Sequence, residues 1–379
     1  MPVGDLLGPV TVGDIAHGGH WICRVDGRVI FVRHGLSGDD VMIQITEEAK
    51  SFARADVAQV LTPGPHRVSA PCRIAGACGG CDFQHVAPDH QRELKRQVVA
   101  GLLAHTAGID WSGEVEPVPP GPLGWRTRMR YQAAPDGRPG LRRHRSNEVV
   151  ALPDAGCLIA DPSIASVPRP VMAEVLAVAQ EPSPVFLDAA SAGRRVVRQQ
   201  AAGREWQLAA DGFWQSHAQA PDLLVRVVVE ALAPQPGEVC FDLFCGVGLF
   251  AGAMVDRGCR VWGIEGNRHA VEFARRNVPQ AQFIAGAVDR RLPGLPSRAD
   301  LVVLDPPRSG AGKAVLERVA GLQPRAVAYV ACDPASLARD LGHAQRLGFE
   351  VTWVRALDLF PMTHHVECVA LLTRPATGT

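Results

Sequence analysis

The chain has 379 residues, of which 47% are apolar and 21% are charged. This length and composition predict two or three globular domains with substantial hydrophobic cores. The chain contains no run of 18 apolar residues, and its first residues, Met1 to Asp5, lack the basic and apolar regions of a secretory signal. We therefore expect no membrane span and a cytoplasmic location. Basic and acidic residues balance at 39 each, so net charge does not predict a nucleic-acid partner.

Short apolar runs alternate with polar residues between residues 10 and 62 and are separated by glycines. Five such runs, at residues 11–15, 19–25, 28–32, 40–45 and 58–61, predict short strands. Strands of this kind with regular turn signals are typical of a small closed barrel of the oligonucleotide-binding type. Pro63-Gly-Pro65 ends the pattern, and we assign residues 1–66 to this first domain.

A cluster of cysteines follows the predicted barrel. Cys72, Cys78 and Cys81 are close together in the chain, and Cys157 is the only other cysteine between residues 67 and 206. The ten cysteines of a cytoplasmic chain point to reduced thiols, a metal or catalysis rather than to a disulfide framework. Four thiolates can bind either Zn²⁺ or a [4Fe–4S] cluster, and the spacing leaves both open.

Residues 67–206 form the predicted second domain, of mixed α/β structure. Apolar residues at helical spacing predict helices at residues 88–107 and 171–180. An arginine-rich segment lies between Gly121 and Arg145, where Asp136 is the single acid. Its arginines would contact RNA phosphates or would form an ordinary solvated surface. They are Arg126, Arg128, Arg130, Arg138, Arg142, Arg143 and Arg145.

The pattern becomes regular in the third predicted domain, residues 207–379. A helix at 220–232 is followed by predicted strands at 239–244, 260–264, 282–285, 301–304, 327–331, 351–357 and 368–372. Helical stretches separate most of these nearly continuous apolar strands. Such an alternation predicts an α/β fold with a doubly wound, mostly parallel sheet that is covered on both faces. Ligands should bind at the carboxyl ends of its strands.

A glycine turn follows the first strand of this sheet, in the motif Asp242-Leu-Phe-Cys-Gly-Val-Gly248. Gly246 and Gly248 allow a ligand close to the backbone, with Phe244 beside them, and Glu265 after the next strand could bind ribose hydroxyls. The turn lacks a third glycine and a phosphate-binding lysine. That favours S-adenosylmethionine over a dinucleotide or ATP. The rigid loop Asp305-Pro-Pro-Arg308 would face the same cleft.

Cys332 stands at the end of a predicted strand and before a predicted helix, whose N-terminus should lower the pKa of the thiol. Together with a general base, such a thiol could add to carbon-6 of a pyrimidine and activate carbon-5 toward a methyl donor. Glu367 is the predicted base, and His364 and His365 are the alternatives. The sequence therefore predicts covalent methyl transfer to a pyrimidine.

These motifs resemble the RNA uridine-5-methyltransferases that have an N-terminal TRAM barrel and an iron–sulfur cluster. The matching stretches are Phe213-Trp-Gln215, the glycine motif 242–248, Asp305-Pro-Pro-Arg-Ser-Gly310, and residues 329–340 and 358–367. The resemblance implies a class I Rossmann-like methyltransferase domain, a TRAM barrel and a central iron–sulfur domain. It also implies that Cys332 is the nucleophile and Glu367 the base. Gln215 would contact uracil or the methyl donor, while Phe244, Glu265 and Asp305 would line the cofactor site.

For the thiolate ligands Cys72, Cys78, Cys81 and Cys157, the resemblance favours a [4Fe–4S] cluster over zinc. Two positions depart from the family pattern: Asp333 replaces the usual asparagine after the nucleophile, and Ala287 stands where an acid is common. The expected substrate is 23S ribosomal RNA, with transfer RNA as the alternative, and the expected state is a monomer. Two other hypotheses are a DNA cytosine-5 methyltransferase, whose nucleophile would follow the fourth strand, and a non-catalytic RNA-binding protein.

Overall fold

The computed structural model describes residues 1–167 and 173–374, beginning with an N-terminal sheet of six strands. They are β1 (Leu6–Thr11), β2 (Ile15–Ala16), β3 (His20–Val25), β4 (Arg28–Arg33), β5 (Asp40–Glu48) and β6 (Phe52–Thr62). Their order is β1-β5-β6-β4-β3-β2. Just beyond β1, Gly13 and Asp14 exchange backbone hydrogen bonds of 2.9 Å with Ile22 of β3, and these bonds close the sheet on itself.

Alternating apolar side chains fill this barrel, as the period of two in the sequence predicts. Val41, Ile43 and Ile45 of β5 are fully buried, and they pack with Trp21 and Phe83. The prediction of a small barrel is confirmed, with six strands instead of five. The run at residues 11–15 is not one strand, because it spans the end of β1, a short connection and the start of β2.

The middle of the chain contains α1 (Pro88–Leu102), which continues as a π-helical turn over Leu103–Ala107, in agreement with the predicted helix. The following elements are β7 (Val115–Pro117), β8 (Arg128–Ala133), β9 (Pro139–Arg142), β10 (Val149–Ala151), β11 (Glu174–Val178), β12 (Val185–Asp188), α2 (Ala189–Ala192), β13 (Val196–Ala201) and β14 (Arg204–Ala209). Strands β8 to β12 form one antiparallel sheet in the order β10-β9-β8-β11-β12, and β13 pairs with β14.

The helix predicted at residues 171–180 is wrong within the described residues. Residues 171 and 172 lie outside them, and β11 occupies Glu174–Val178. This strand lies between β8 and β12 and pairs with both along its length. Backbone pairing on two sides therefore overrides the helix-favouring Ala, Leu and Glu residues, because local propensity is weak beside tertiary contacts.

The third part of the chain supplies seven strands of an eight-stranded sheet with helices on both faces, and β7 is the eighth strand. This part comprises α3 (Ala220–Leu232), β15 (Val239–Leu243), α4 (Leu249–Val255), β16 (Arg260–Glu265), α5 (Arg268–Asn277), β17 (Gln282–Ala285), α6 (Val288–Arg291), a 3-10 turn (Leu292–Gly294), β18 (Leu301–Leu304), α7 (Lys313–Gly321), β19 (Ala326–Ala331), α8 (Pro334–Arg346), β20 (Glu350–Asp358) and β21 (Glu367–Thr373). All seven strands and the helix predicted here are confirmed.

The strand order is β17-β16-β15-β18-β19-β21-β20-β7, and only β21 runs antiparallel to its neighbours. The chain moves outward from β15 in one direction and then from β18 in the other. A ligand cleft is expected outside the carboxyl ends of the strands at such a reversal. One hydrophobic core packs α3, α4 and α5 against the sheet, and the other packs α7 and α8 against the opposite face. Among the described residues, no helix is long and apolar enough to cross a membrane.

Candidate active site

A cleft of about 1750 Å³ opens at the carboxyl ends of β15, β18 and β19. It is lined by almost all the side chains predicted from the sequence as site residues. Of the predicted set, the cleft contacts Gln215, Phe244, Gly246, Glu265, Asp305, Cys332, Glu367, Cys72, Cys78, Cys81 and Cys157. Gly248 lies just behind the cleft surface. The topology thus brings together residues as distant in sequence as Cys72 and Glu367, which are 295 positions apart.

The glycine turn between β15 and α4 has the conformation that the sequence predicts. Gly246 has φ of 53° and Gly248 has φ of 96°, both in the left-handed region that favours glycine. Gly248 caps α4, and an added Cβ would lie 3.3 Å from the Phe283 ring. Asp242 lies beneath the turn and accepts a hydrogen bond of 2.8 Å from the Ala251 backbone. The turn is therefore held from below by a buried carboxyl group.

Glu265 lies at the end of β16 and faces the same turn. One carboxylate oxygen accepts a hydrogen bond of 3.0 Å from the Gly246 backbone, and the other accepts one of 2.7 Å from Asn267. These bonds place the carboxylate at the cleft surface, in contact with the glycine turn. Ala287 also lines the cleft, and so does Asp289 two residues later in the first turn of α6. An acid is therefore present beside the position where the sequence appeared to lack one.

Three carboxyl groups beneath and within the cleft have raised pKa values. Burial, followed by repulsion from Asp305 and Glu265, raises the pKa of Asp242 to about 8. Burial and then Glu265 raise the pKa of Asp305 to about 7. Burial and then Asp305 raise the pKa of Glu367 well above its ordinary value, and Arg308 opposes this shift. These three acids therefore lie where burial and neighbouring carboxyl groups disfavour their negative charge.

These raised pKa values predict that the free energy of unfolding of the protein decreases as pH rises. Asp242 has a folded-state pKa of about 8, above its ordinary value of 3.8, so its stabilising contribution is complete below about pH 4 and disappears as pH rises through 8. Asp242→Asn should flatten this dependence, because each unit of pKa difference corresponds to about 1.4 kcal/mol. Urea unfolding at about pH 5 and about pH 8 measures the effect. An equal pH dependence in both proteins would contradict it.

Cys332 is the residue after β19, and its half-buried thiol faces the cleft. Asp333 is the N-cap of α8, and its Oδ1 accepts a hydrogen bond of 2.8 Å from the Ser336 backbone. The helix N-terminus is therefore where the sequence predicts it. Burial, followed by repulsion from Glu367, nevertheless raises the pKa of Cys332 to about 12, although Arg308 lowers it. Burial and the charge of Glu367 therefore outweigh the lowering of the Cys332 pKa that was expected from the helix N-terminus.

Glu367 is the first residue of β21 and is only 2% exposed. The two histidines weighed as alternative bases have other contacts. His364 Nδ1 lies 2.7 Å from Asp82 Oδ2, and His365 Nε2 lies 3.1 Å from an Arg308 guanidinium nitrogen. Burial lowers the pKa of His365 to about 3. Glu367 lines the cleft together with Cys332, and its charge contributes to the raised pKa of that thiol.

The segment between β20 and β21, residues 359–366, is held by the helix and loop that follow the barrel. The carbonyl of Met362 accepts backbone hydrogen bonds of 2.9 Å from both Asp82 and Phe83. Gln91 of α1 accepts a hydrogen bond of 3.0 Å from the Met362 backbone. Lys95 of α1 donates to Asp358 at 2.6 Å and to the Phe360 carbonyl at 3.0 Å. The position of Glu367 therefore depends on residues more than 260 positions earlier.

Removing the buried Lys95–Asp358 ion pair should strongly destabilise the protein. Lys95 is 1% exposed and Asp358 is 7% exposed, so Lys95→Ala would leave a buried carboxylate without its partner. The expected loss in the free energy of unfolding is about 3–5 kcal/mol. Arg92→Ala, on the same helix, removes an exposed pair with Asp89 and should cost less than about 1 kcal/mol. Urea unfolding of both variants tests the difference, and equal losses would contradict it.

The loop that follows β18 is braced by side chains that pattern reasoning missed. The Tyr329 hydroxyl accepts a hydrogen bond of 2.9 Å from the Ala311 backbone and donates one of 2.7 Å to Asp340. Arg339 donates to the Ser309 carbonyl at 2.7 Å. Tyr329 is buried within an apolar strand, where a hydroxyl needs a partner, and this is the signal that could have identified the brace.

The four predicted ligand cysteines lie around one wall of the cleft, and all are free thiols. Burial is the main cause of raised pKa values at Cys78, Cys81 and Cys157. Smaller contributions come from neighbouring thiols: Cys72 acts on Cys78, and Cys78 acts on Cys81 and Cys157. In the part of the chain that the structure describes, no group of three or more His, Cys, Asp or Glu side chains has the arrangement that would hold a metal ion.

The arginine-rich segment divides into two groups, and Arg130 belongs to both. Arg126, Arg128 and Arg142 line the cysteine side of the cleft, together with Arg130. The second group is paired with carboxylates on the surface. The pairs are Arg130–Glu174, Arg138–Asp136, Arg143–Glu148 and Arg145–Glu47, with distances of 2.6 to 3.3 Å. Only part of this segment is therefore available to a polyanion at the cleft.

Comparisons with known proteins agree with this architecture. Residues 9–58 match the TRAM domain, and residues 296–375 match the tRNA (uracil-5-)-methyltransferase model. An uncharacterized RNA methyltransferase of Streptomyces avermitilis is 42% identical, over 97% of this chain and 98% of that protein. The 23S rRNA (uracil(1939)-C(5))-methyltransferase of Alkalilimnicola ehrlichii is 30% identical, over 97% of this chain and 96% of that protein. The chain belongs to the RNA (uracil-5-)-methyltransferase family.

A solved structure shares the fold of this family member over nearly its whole length. The Pyrococcus abyssi tRNA (uracil-54, C5)-methyltransferase, in complex with S-adenosyl-L-homocysteine, superposes with a TM-score of 0.72. The two chains are 24% identical, and the match covers 96% of this chain and 99% of that one. The predicted α/β fold with an N-terminal TRAM barrel is confirmed.

Proposed function

We propose that this protein methylates carbon-5 of a uridine in structured RNA, through a covalent bond between the Cys332 sulfur and carbon-6 of the uracil. The observation that carries this proposal is the placement of Cys332, Asp305 and Glu367 in one cleft. Family membership supports the same reaction. The target base would leave its stack to enter the cleft, because the reacting atoms are otherwise inaccessible.

The methyl donor in this proposal is S-adenosylmethionine, which supplies a methyl group from a positively charged sulfonium. The cleft suits a cation, since Asp305 and Glu367 have raised pKa values and a positive charge would stabilise their ionised forms. The same acids would repel the phosphates of ATP or a dinucleotide. Glu265 would bind ribose hydroxyls, with the donor lying against Phe244 and Gly246. Gln215, which is 7% exposed, would contact the uracil or the donor.

Each residue would act at a defined atom. The Cys332 thiolate donates an electron pair to carbon-6, and the ring becomes an enolate with a nucleophilic carbon-5. After carbon-5 takes the methyl group, Glu367 removes the proton from carbon-5. The carbon-5–carbon-6 double bond re-forms, and the Cys332 sulfur leaves as thiolate. Arg308 lowers the pKa of Cys332, and a cationic donor nearby would act in the same direction.

Within structured RNA, we propose 23S ribosomal RNA as the substrate, with transfer RNA as the second candidate. The relative that acts on 23S rRNA is 30% identical, whereas the solved transfer RNA enzyme is 24% identical. The experiment offers methyl-labelled S-adenosylmethionine with each unmodified RNA separately and digests the products to nucleosides. Label in 5-methyluridine from ribosomal RNA supports the proposal. Label in another nucleoside would refute the chemistry, and label in neither RNA would favour a binding protein.

The four cysteines are proposed to hold a [4Fe–4S] cluster with a structural role. The chemistry of the donor set supports this proposal, because four free thiols line one wall of the cleft. A four-iron cluster also keeps its thiolates further apart than a single tetrahedral zinc ion does. Iron and acid-labile sulfide should be measured in protein purified without oxygen. Stoichiometric zinc without sulfide would refute the cluster.

The organisation of the protein completes the proposal. Residues 1–66 would be the RNA-binding barrel, residues 67–206 the cysteine domain and residues 207–379 the methyltransferase domain. The barrel and the cleft-lining arginines would hold the RNA that flanks the target uridine. We propose that the protein acts as a monomer in the cytoplasm, where its RNA substrates are found.

A further inference from the structure

One turn of the N-terminal barrel, formed by His17, Gly18 and Gly19, packs against segments that border the catalytic cleft. The turn joins β2 to β3 and is more than 300 residues away in sequence from Cys332. It contacts both of the segments that carry the predicted catalytic side chains. Nothing in the pattern of the barrel strands requires this contact.

The first contact is with the nucleophile segment. His17 Nε2 lies 3.1 Å from Oδ2 of Asp333, the residue that directly follows Cys332. The other carboxylate oxygen of Asp333 caps α8 through the Ser336 backbone. Burial opposes ionisation, yet the His17 and Ser336 hydrogen bonds lower the pKa of Asp333 to about 2. The Asp333 carboxylate is thus held between the barrel and the helix, one peptide bond from the nucleophile.

The second contact is with the base segment. Gly19 is buried and has φ of 75°, and an added Cβ would lie only 2.7 Å from the Cβ of His364. His364 also contacts Asp82 and stands three residues before Glu367. The backbone of the turn therefore packs directly on the segment that leads to the base. A side chain at position 19 would have to displace that segment.

We propose that the His17–Gly19 turn of the barrel supports the active-site wall from behind, where it positions the Cys332 and Glu367 segments relative to each other. In this respect the barrel contributes to the geometry of the catalytic site as well as to RNA binding. The inference rests on the proposed methyl transfer. His17 and Gly19 are positioning residues, since they act through Asp333 and His364. Small displacements of reacting groups carry large kinetic penalties, so a displacement of either segment should slow turnover.

Two glycine variants separate the contact from backbone strain. Gly19→Ala and Gly27→Ala both place alanine at a positive φ, 75° and 77°, in turns of the same barrel. An added Cβ at Gly27 meets nothing within 4 Å. Both variants should lose thermal unfolding temperature through backbone strain, and Gly19→Ala should lose more because its Cβ also meets His364. Gly19→Ala should lower kcat by roughly tenfold or more at saturating RNA and methyl donor, whereas Gly27→Ala should change it by less than about twofold. Equal kcat values in two folded variants would overturn the proposal.

A second set of variants tests the proposal if Gly19→Ala does not fold. His17→Ala and Asp333→Asn should each lower kcat by about three- to fivefold, with the KM for the methyl donor unchanged, and their effects should not add in the double variant. Asparagine retains the cap of α8, so helix stability is preserved. His17→Gln keeps a donor near the Nε2 position and should restore most of kcat. Additive effects, or no effect of His17→Ala, would overturn the proposal.

A readout without methyl transfer distinguishes this inference from the proposed function. The rate at which iodoacetamide alkylates Cys332, followed by mass spectrometry of its peptide, should change in His17→Ala and be unaffected in Glu48→Gln. Glu48 pairs with Arg28 on the surface of the barrel, and neither residue lines the cleft. If alkylation responds while the wild-type protein labels no uridine, the proposed function fails and the positioning holds. If uridine is labelled and neither kcat nor alkylation responds, the positioning fails alone.

Discussion

Replacing Cys332 with alanine should reduce methyl transfer by about 10⁴-fold or more, because the uracil ring then has no covalent activator. Binding of RNA should survive, since the thiol is a small part of a cleft of about 1750 Å³. The sharpest measurement uses RNA that contains 5-fluorouridine at the target position. Glu367 cannot remove fluorine from carbon-5, so the wild-type protein should become trapped on the RNA as a complex that survives a denaturing gel.

The Cys332→Ala protein should form no trapped complex. Cys259→Ala provides the matched control, because this cysteine is buried in the connection between α4 and β16, outside the cleft lining, and should leave trapping intact. A trapped complex in Cys332→Ala would assign the covalent bond to another nucleophile. Methylation at a wild-type rate in that variant would refute the covalent mechanism altogether.

Replacing Glu367 with glutamine should slow turnover by about 10²- to 10⁴-fold, because general-base catalysis of proton removal is lost. Glutamine has nearly the same shape, so the cleft should remain intact around a residue that is 2% exposed. The defect should fall after methyl transfer. Ordinary uridine-containing RNA should therefore accumulate as a covalent complex that already carries the labelled methyl group.

The histidine variants provide the comparison for this prediction. His364→Ala and His365→Ala should slow turnover without accumulating the methylated complex, because these side chains contact Asp82 and Arg308. Accumulation in a histidine variant, with none in Glu367→Gln, would transfer the role of base to that histidine. Absence of the complex in every variant would mean that proton removal is not the step that Glu367 serves.

The sequence by itself determined the architecture of the methyltransferase half, and nearly all of the site residues that it singled out line the cleft. The seven strands from β15 to β21 were predicted because nearly continuous apolar runs identify buried strands locally. Gly246 and Gly248 were recognised because a turn that requires positive φ leaves a local signature. The predicted roles of Cys332 and Glu367 followed from residue chemistry and family resemblance, and they remain proposals for experiment.

Only the tertiary structure decided features that depend on residues far apart in the chain. Pairing on both sides made β11 a strand, although its residues alone favour a helix. Burial raised the pKa of Cys332 to about 12, although the helix N-terminus alone would lower it. The contacts His17–Asp333 and Lys95–Asp358 join residues 316 and 263 positions apart. Periodicity reports what a segment does with its neighbours in sequence, whereas packing determines its partners and its access to water.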